Sequence, residues 1–149
     1  MKKLLPLTIL LFINIQFVYS QDGFELSRLK NSDVPVNEKV HLYLFQLENN
    51  TNQPQTYAFK IEEADCKDNL HGKHSELQFE FHDMSKNKKL DRIVVGKKQK
   101  SQFFVKTIVP TNAKLSTWNC SNIALYNTLT KEKQLVNIVS FIQDPKKAN

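Results

Sequence analysis

The chain has 149 residues, with 21 lysines and arginines against 15 acidic residues, two cysteines and three glycines. This length suits one ordinary domain and is too short for two comfortable ones. The net charge of +6 is mild and dispersed, without the reading motif or stacking aromatics of a nucleic-acid site, and the three glycines form no phosphate-binding loop.

The N-terminus, "MKKLLPLTILLFINIQFVYSQDG", has the three parts of a secretory signal peptide. Two lysines precede an apolar run, and Ser20 provides a small residue before Gln21. The alternative is a retained anchor, but a run of about 15 residues is shorter than the ~20 of a spanning helix. We therefore predict a signal peptide over residues 1–20, cleavage between Ser20 and Gln21, a secreted or periplasmic location, and no stable membrane insertion.

From Phe24 onwards the apolar residues alternate, which is typical of β-strands. In "SELQFEFH", for example, Leu77, Phe79 and Phe81 alternate with polar residues, which predicts a strand with one wet side. The strands are predicted in "FELSRL", "KVHLYLFQLE", "QTYAFKIEE", "SELQFEFH", "DRIVV", "SQFFVKTIVP", "TWNCSNIALY" and "QLVNIVSFI".

Turn-forming stretches separate these strands, among them "ENNTNQPQ", "SKNKK", "VGKKQK" and "VPTNAK". Seven or eight short strands at intervals of roughly 10 residues indicate an all-β antiparallel sandwich or barrel. We expect a single domain over residues 21–143 and a disordered tail over residues 144–149.

The two cysteines permit one intramolecular disulfide, Cys66–Cys120, which suits an exported chain. Such a bridge would join the end of the Tyr57 strand to the strand that contains Trp118. The alternative is a zinc or copper site built from Cys66, His71 and His74, with His82 further on. That spacing is not a standard zinc pattern, so the disulfide is the main prediction and no cofactor is expected.

Three segments resemble a loose family of bacterial exported domains. They are the strand–turn–strand "VHLYLFQLENNTNQPQTYAFKIE", the glycine turn and strand "VVGKKQKSQFFVKTIVP", and the closing strand "LSTWNCSNIALY". Together they are similar to immunoglobulin-like or fibronectin type III-like sandwiches, including the C-terminal domain of FixG-type proteins. The resemblance implies an immunoglobulin-like β-sandwich. Thr117 stands where a glycine often precedes the aromatic residue, and the cysteine pair is an addition to the pattern.

Two kinds of surface are candidates for binding. Tyr43, Phe45 and Phe104 lie on strands with two apolar faces, so they are either core residues or a partner surface. Lys97, Lys98 and Lys100 form either a solvated turn or an anion-binding site. Two Asn-x-Ser/Thr triplets begin at Asn49, in a predicted exposed turn, and at Asn119.

No nucleophile motif or calcium-loop spacing is present, so we do not expect an enzyme. The sequence favours a secreted or periplasmic non-catalytic binding or accessory domain. Its partner would be a protein or a surface glycan, bound through sandwich faces, edges or loops. The alternative function is an exported metal-binding protein that uses the Cys66-His71-His74 region.

Overall fold

The computed structural model describes residues 23–29, 40–64, 66, 77–144 and 146. Within them the chain forms eight β-strands and no α-helix. The strands are β1 (Phe24–Arg28), β2 (Val40–Asn49), β3 (Gln55–Glu63), β4 (Gln78–His82), β5 (Arg92–Val95), β6 (Lys100–Ile108), β7 (Thr117–Asn127) and β8 (Lys133–Ile142).

The strands form two four-stranded antiparallel sheets. The first sheet has the order β1-β2-β6-β4, and the second has the order β5-β3-β7-β8. Consecutive strands β2 and β3, β4 and β5, and β6 and β7 therefore lie in different sheets. The predicted all-β antiparallel sandwich is confirmed.

The core lies between the two sheets and is rich in aromatic residues. Phe103 of β6 packs on Phe45 of β2 with ring centroids 5.6 Å apart, and on Phe59 of β3 at 5.0 Å. Phe24 of β1 meets Tyr57 of β3 at 4.7 Å. The alternating residues of each strand thus meet across the sandwich, as the period-2 pattern predicts.

The predicted disulfide is confirmed, because the structure bonds Cys66 to Cys120 with their Cα atoms 5.3 Å apart. β3 and β7 are neighbours in the second sheet, and Ala64 N donates to Cys120 O at 3.3 Å just beyond their paired residues. The bridge therefore lies within one sheet, whereas the disulfide of antibody domains joins two sheets. Ile123 and Leu125, at odd positions of β7, face the core. Cys120 is at an even position, so it belongs to the set of β7 residues that face outwards.

Two buried tyrosines provide a matched test of core polarity. Tyr43 forms a hydrogen bond with Ser140 Oγ across the sandwich at 2.9 Å. Among the described residues the buried Tyr57 hydroxyl finds no hydrogen-bond partner, and burial, followed by the charge of Glu132, raises the pKa of Tyr57 to about 12. We expect Tyr43→Phe to lower the free energy of unfolding by about 1–2 kcal/mol, because Ser140 loses its buried partner.

Tyr57→Phe removes a hydroxyl that already lacks a partner, so we expect it to leave stability unchanged or to raise it by up to about 1 kcal/mol. Urea unfolding of both variants beside the wild type measures the difference. Equal losses in the two variants would contradict the assignment of hydrogen bonds in this core.

Candidate binding surface

The outer face of the first sheet carries a group of partly exposed apolar side chains. Leu44 of β2 lies opposite Phe104 of β6, which lies opposite His82 of β4. On the other side, Leu29 N donates to Leu44 O at 2.9 Å. The six apolar residues of this face are called the outer patch; they are Leu29, Val40, Leu42, Leu44, Phe104 and Ile108.

Two residues of the predicted partner surface belong to the core instead. Tyr43 and Phe45 are both 0% exposed and pack between the sheets, so the prediction that they contact a partner is wrong. Of the two apolar faces of β2, the one with Leu42 and Leu44 points outwards. Phe104 does lie on the outer face, half-buried, as a surface role requires.

A cluster of charged side chains borders the outer patch along β4. Glu80 accepts hydrogen bonds from Lys89, and from Lys106 at 3.2 Å, and it lies 3.1 Å from His82 Nε2. Lys86 adds a further ammonium group, 4.9 Å from the centroid of the Phe104 ring. Two lysines therefore pair with one carboxylate at this border, and a third lies over the aromatic ring beside it.

The charged cluster lowers the pKa of Glu80 to about 2, mainly through the hydrogen bond from Lys89 and then that from His82. The carboxylate thus stabilises the fold fully above its ordinary pKa of 4.5, and this contribution is lost as the pH falls from there towards 2. We expect Glu80→Gln to lower the free energy of unfolding by about 1 kcal/mol at pH 7, since the partners are partly solvated.

Urea unfolding between pH 7 and pH 2 tests this expectation, because Glu80→Gln should flatten the acid part of the stability profile. The matched control is Glu48→Gln, which removes a single pair at 2.9 Å from Lys100. That surface pair should contribute less than the charged cluster on Glu80 does, because both partners are partly exposed to solvent. Two variants with the same loss at pH 7 would show that the cluster adds nothing to an isolated pair.

Two of the three lysines that were considered for anion binding already interact with other groups of the chain. Lys98 donates to the backbone oxygen of Asn50 at 2.6 Å, and Lys100 pairs with Glu48. Lys97 is exposed in the same turn. Binding of an anion by Lys97, Lys98 and Lys100 remains a prediction.

Two of the four residues of the alternative metal site, Cys66 and His82, are too far apart to bind the same ion. Cys66 has no thiolate to offer while it is bonded to Cys120, and it lies beside the outer face of the second sheet. His82 lies on the outer face of the first sheet, beside Glu80. Cys66 and His82 cannot bind one ion from opposite sides of the sandwich. His71 and His74 lie outside the described residues.

The described residues contain no group of three or more His, Cys, Asp or Glu side chains arranged to hold a metal ion. They also contain no helix long and apolar enough to cross a membrane. The predicted signal peptide, with Ser20 and Gln21, lies outside the described residues, as does most of the predicted tail.

The outer face of the second sheet is divided between an aromatic end and a polar end. Trp118 and Phe141 lie opposite each other in β7 and β8, with ring centroids 4.9 Å apart. At the other end Glu62 accepts hydrogen bonds from Tyr126, and from Lys133 at 3.1 Å. The polar end of this face is therefore internally satisfied.

Sequence reasoning missed the charged cluster and the outward position of Leu42 and Leu44. One signal was present, because Gln46 and Glu48 alternate in phase with Leu42 and Leu44 along "HLYLFQLE". A strand face that carries a charge is usually the wet one. The cluster itself depends on Lys89 returning to the side of β4, where it forms a bridge with His82, and no local pattern predicts that contact.

Comparison with known proteins identifies the fold through solved structures. No family model matches the chain, and no curated protein sequence matches it. A FixG-related protein from Vibrio parahaemolyticus is similar over 82% of this chain and 95% of that one, with a TM-score of 0.53 and 15% identity.

Two further solved structures are similar to a lesser degree. A family 123 glycoside hydrolase from Clostridium perfringens matches 70% of this chain and 21% of its own length, with a TM-score of 0.50 and 8% identity. The cupredoxin domain of amoB from Nitrosocaldus yellowstonii matches 71% of this chain and 57% of that one, with a TM-score of 0.47 and 7% identity. These likenesses concern the fold and transfer neither a catalytic nor a copper site.

The predicted resemblance to immunoglobulin-like sandwiches of the FixG type is thereby confirmed at the level of the fold. Eight strands in two antiparallel sheets, with the chain passing repeatedly from one sheet to the other, account for the similarity. The domain is an immunoglobulin-like β-sandwich.

Proposed function

We propose that this chain is an exported, non-catalytic accessory domain that binds a protein partner through the outer patch. The main support for this proposal is the row of partly exposed apolar side chains around Leu44 and Phe104, which lysines border. Export is supported by the disulfide, which persists in oxidising compartments. A sandwich fold by itself assigns no function, so the proposal depends on this surface.

The exposure of the patch supports a contact with a macromolecule. Leu29 is 43% exposed and Val40 is 40% exposed, beside the half-buried Leu42, Leu44, Phe104 and Ile108. Apolar side chains that adjoin across two neighbouring strands, with Leu29 beside them, are more typical of an interaction surface than scattered single ones are. Aromatic residues such as Phe104 are enriched at the centres of protein interfaces.

The charges beside the patch indicate the character of the partner. Lys89 and Lys106 both pair with the carboxylate of Glu80, and Lys86 lies over the Phe104 ring. An acidic, partly apolar protein surface would pair its carboxylates with the excess lysines while its apolar residues cover the patch. A neutral glycan would leave both the lysines and the aliphatic side chains without complementary groups. We therefore favour a protein over a glycan.

Site-specific photo-crosslinking in the producing cell tests the proposal. Gln102 is exposed beside the patch on β6, and Lys60 is exposed on the outer face of the second sheet. A photoreactive residue at position 102 should crosslink one defined exported protein, and the same residue at position 60 should not.

A matched pair of variants supplies the control. Val40→Glu places a negative charge at the patch, whereas Val94→Glu makes the same change on β5 at a side chain that is 65% exposed. We expect Val40→Glu to abolish the crosslink and Val94→Glu to preserve it, and high salt should weaken the crosslink. Equal labelling from positions 102 and 60, a carbohydrate adduct, or no adduct at all would contradict the proposal.

A further inference from the structure

β8 is an edge strand with an unusually open side. It pairs with β7 over ten successive residues without a bulge, from Thr117↔Ile142 to Tyr126↔Lys133. Within the described residues no strand pairs with its other side. Natural edge strands are commonly protected by proline, bulges or several charged residues. β8 has no proline, no bulge and a single charge, on Lys133.

The hydrogen bonds of β7 show which backbone groups of β8 face the open side. Asn127 N donates to Glu132 O at 2.9 Å, and in an antiparallel pair such bonded positions recur at every second residue. The even-numbered residues of β8 therefore bond to β7. The odd-numbered residues direct their N–H and C=O groups outwards; they are Lys133, Leu135, Asn137, Val139 and Phe141.

These five residues are self-complementary about their centre. In an antiparallel pair of two β8 strands related by a twofold axis at Asn137, the two Asn137 residues face each other. Leu135 then faces Val139 of the second copy, and Lys133 faces its Phe141. This register uses all five outward residues, pairs aliphatic with aliphatic side chains, and opposes no like charges.

The two ends of the strand support the same arrangement. Lys131 and Lys133 are at the start of β8, and Asp144 follows its end. Antiparallel pairing brings the basic start of one copy to the Asp144 end of the other, whereas parallel pairing would oppose lysine to lysine. Leu135, 43% exposed, would be covered by the same contact.

We propose that β8 is a self-association edge, through which two copies of the chain form a symmetric dimer whose second sheets join into one continuous eight-stranded sheet. The contact is separate from the outer patch, which belongs to the other sheet. Because the interface is isologous, association ends at the dimer.

Sedimentation velocity over about 1 µM to about 1 mM purified protein tests the proposal, a range that covers weak to moderate association. The wild type should shift from monomer to dimer without larger species. L135K/V139K opposes lysine to lysine at two places and should raise the dissociation constant at least about tenfold. L135K/V139E opposes opposite charges in the same register and should restore the dimer.

Cysteine crosslinking tests the dimer independently of those variants, in case either of them does not fold. Asn137→Cys places two thiols at the twofold axis, within the Cα spacing of a bonded strand pair, and should form a disulfide-linked dimer under mild oxidation. Gln102→Cys, on the first sheet, should not. A monomer at every concentration, an open series of larger oligomers, or a dimer that L135K/V139K leaves intact would overturn the proposal.

Discussion

Asn49→Asp should lower the free energy of unfolding by about 4 kcal/mol at pH 7. A buried charge that is left without a compensating partner typically costs about 3–5 kcal/mol. The Asn49 side chain is fully buried at the end of β2 and connects two turns. Its Nδ2 lies 2.8, 3.0 and 3.1 Å from the backbone oxygens of Gln53, Gly96 and Val95. Its Oδ1 accepts from Thr51 N and Thr51 Oγ1.

The substitution keeps the shape of the side chain and replaces the donor with an acceptor. A carboxylate oxygen would then face three carbonyl oxygens in a fully buried site. Because the fold disfavours the charged form, the introduced carboxyl should have a raised pKa in the folded state. Its folded state then binds more protons than the unfolded one, so the deficit should shrink as the pH is lowered from 7 towards 4.

Asn52→Asp is the matched control, since Asn52 is exposed in the same loop. It makes the same change in charge and should alter stability by less than about 0.5 kcal/mol. Chemical unfolding at several pH values measures both variants. A deficit in Asn49→Asp that is small or independent of pH would contradict the role of Asn49 as the donor that joins the two turns.

The same geometry corrects an expectation about modification. Asn49 begins an Asn-x-Thr triplet that was predicted to lie in an exposed turn, but its side chain is buried and its amide is committed to three carbonyls. Asn119, in the second triplet, is buried as well. A glycan on either amide is incompatible with this fold.

The sandwich was predictable because period-2 alternation and turn chemistry are local properties. "QFEFH" and "FFVKTI" show which residues alternate, and the structure places strands there, at β4 and β6. The Cys66–Cys120 pairing was predictable for a different reason, since a chain with two cysteines has one intramolecular choice and the predicted export favours a disulfide. The intrasheet position of the bridge was not, because it depends on β3 and β7 being neighbours.

The candidate surface was only partly predictable. Phe104 lies half-buried on the outer face. The sequence of a strand with two apolar faces does not show which face is covered, so the core and surface alternatives for Tyr43 and Phe45 stayed open until the structure placed both in the core. The choice is made by packing across the sandwich, where Phe45 meets Phe103. The lysine cluster on Glu80 joins residues from β4, β6 and the segment after β4, so only the three-dimensional fold brings it together.

Removal of the disulfide should have an effect of similar size to Asn49→Asp. Cys66 and Cys120 are 54 residues apart in sequence, and closure of such a loop stabilises the folded state by about 4 kcal/mol on the chain-entropy estimate. The closed loop contains β4, β5 and β6, strands of both sheets. For a domain with a typical total stability of about 5–15 kcal/mol, this is a large share.

We expect the double variant Cys66→Ser/Cys120→Ser to unfold at a markedly lower urea concentration than the wild type, with the slope of the transition reporting any change in the unfolded state. Reduced wild type should behave like the double variant, and reoxidation should restore its stability. The double variant itself should not respond to reductant, which separates the crosslink from general effects of the reducing buffer.

The place of the bridge in the sheet determines what else should change. Since β3 and β7 remain paired by the hydrogen bonds of seven residue pairs, Tyr57↔Asn127 to Glu63↔Ser121, reduction should leave the sheets intact in the folded state. Amide exchange of the reduced protein should therefore accelerate mainly through global unfolding, with the largest local change beside Ala64 and Cys120, where the ladder ends. An unchanged unfolding midpoint after verified reduction would show that the loop between the cysteines is already constrained in the unfolded chain. The explanation of the disulfide's effect by loop entropy would then be wrong.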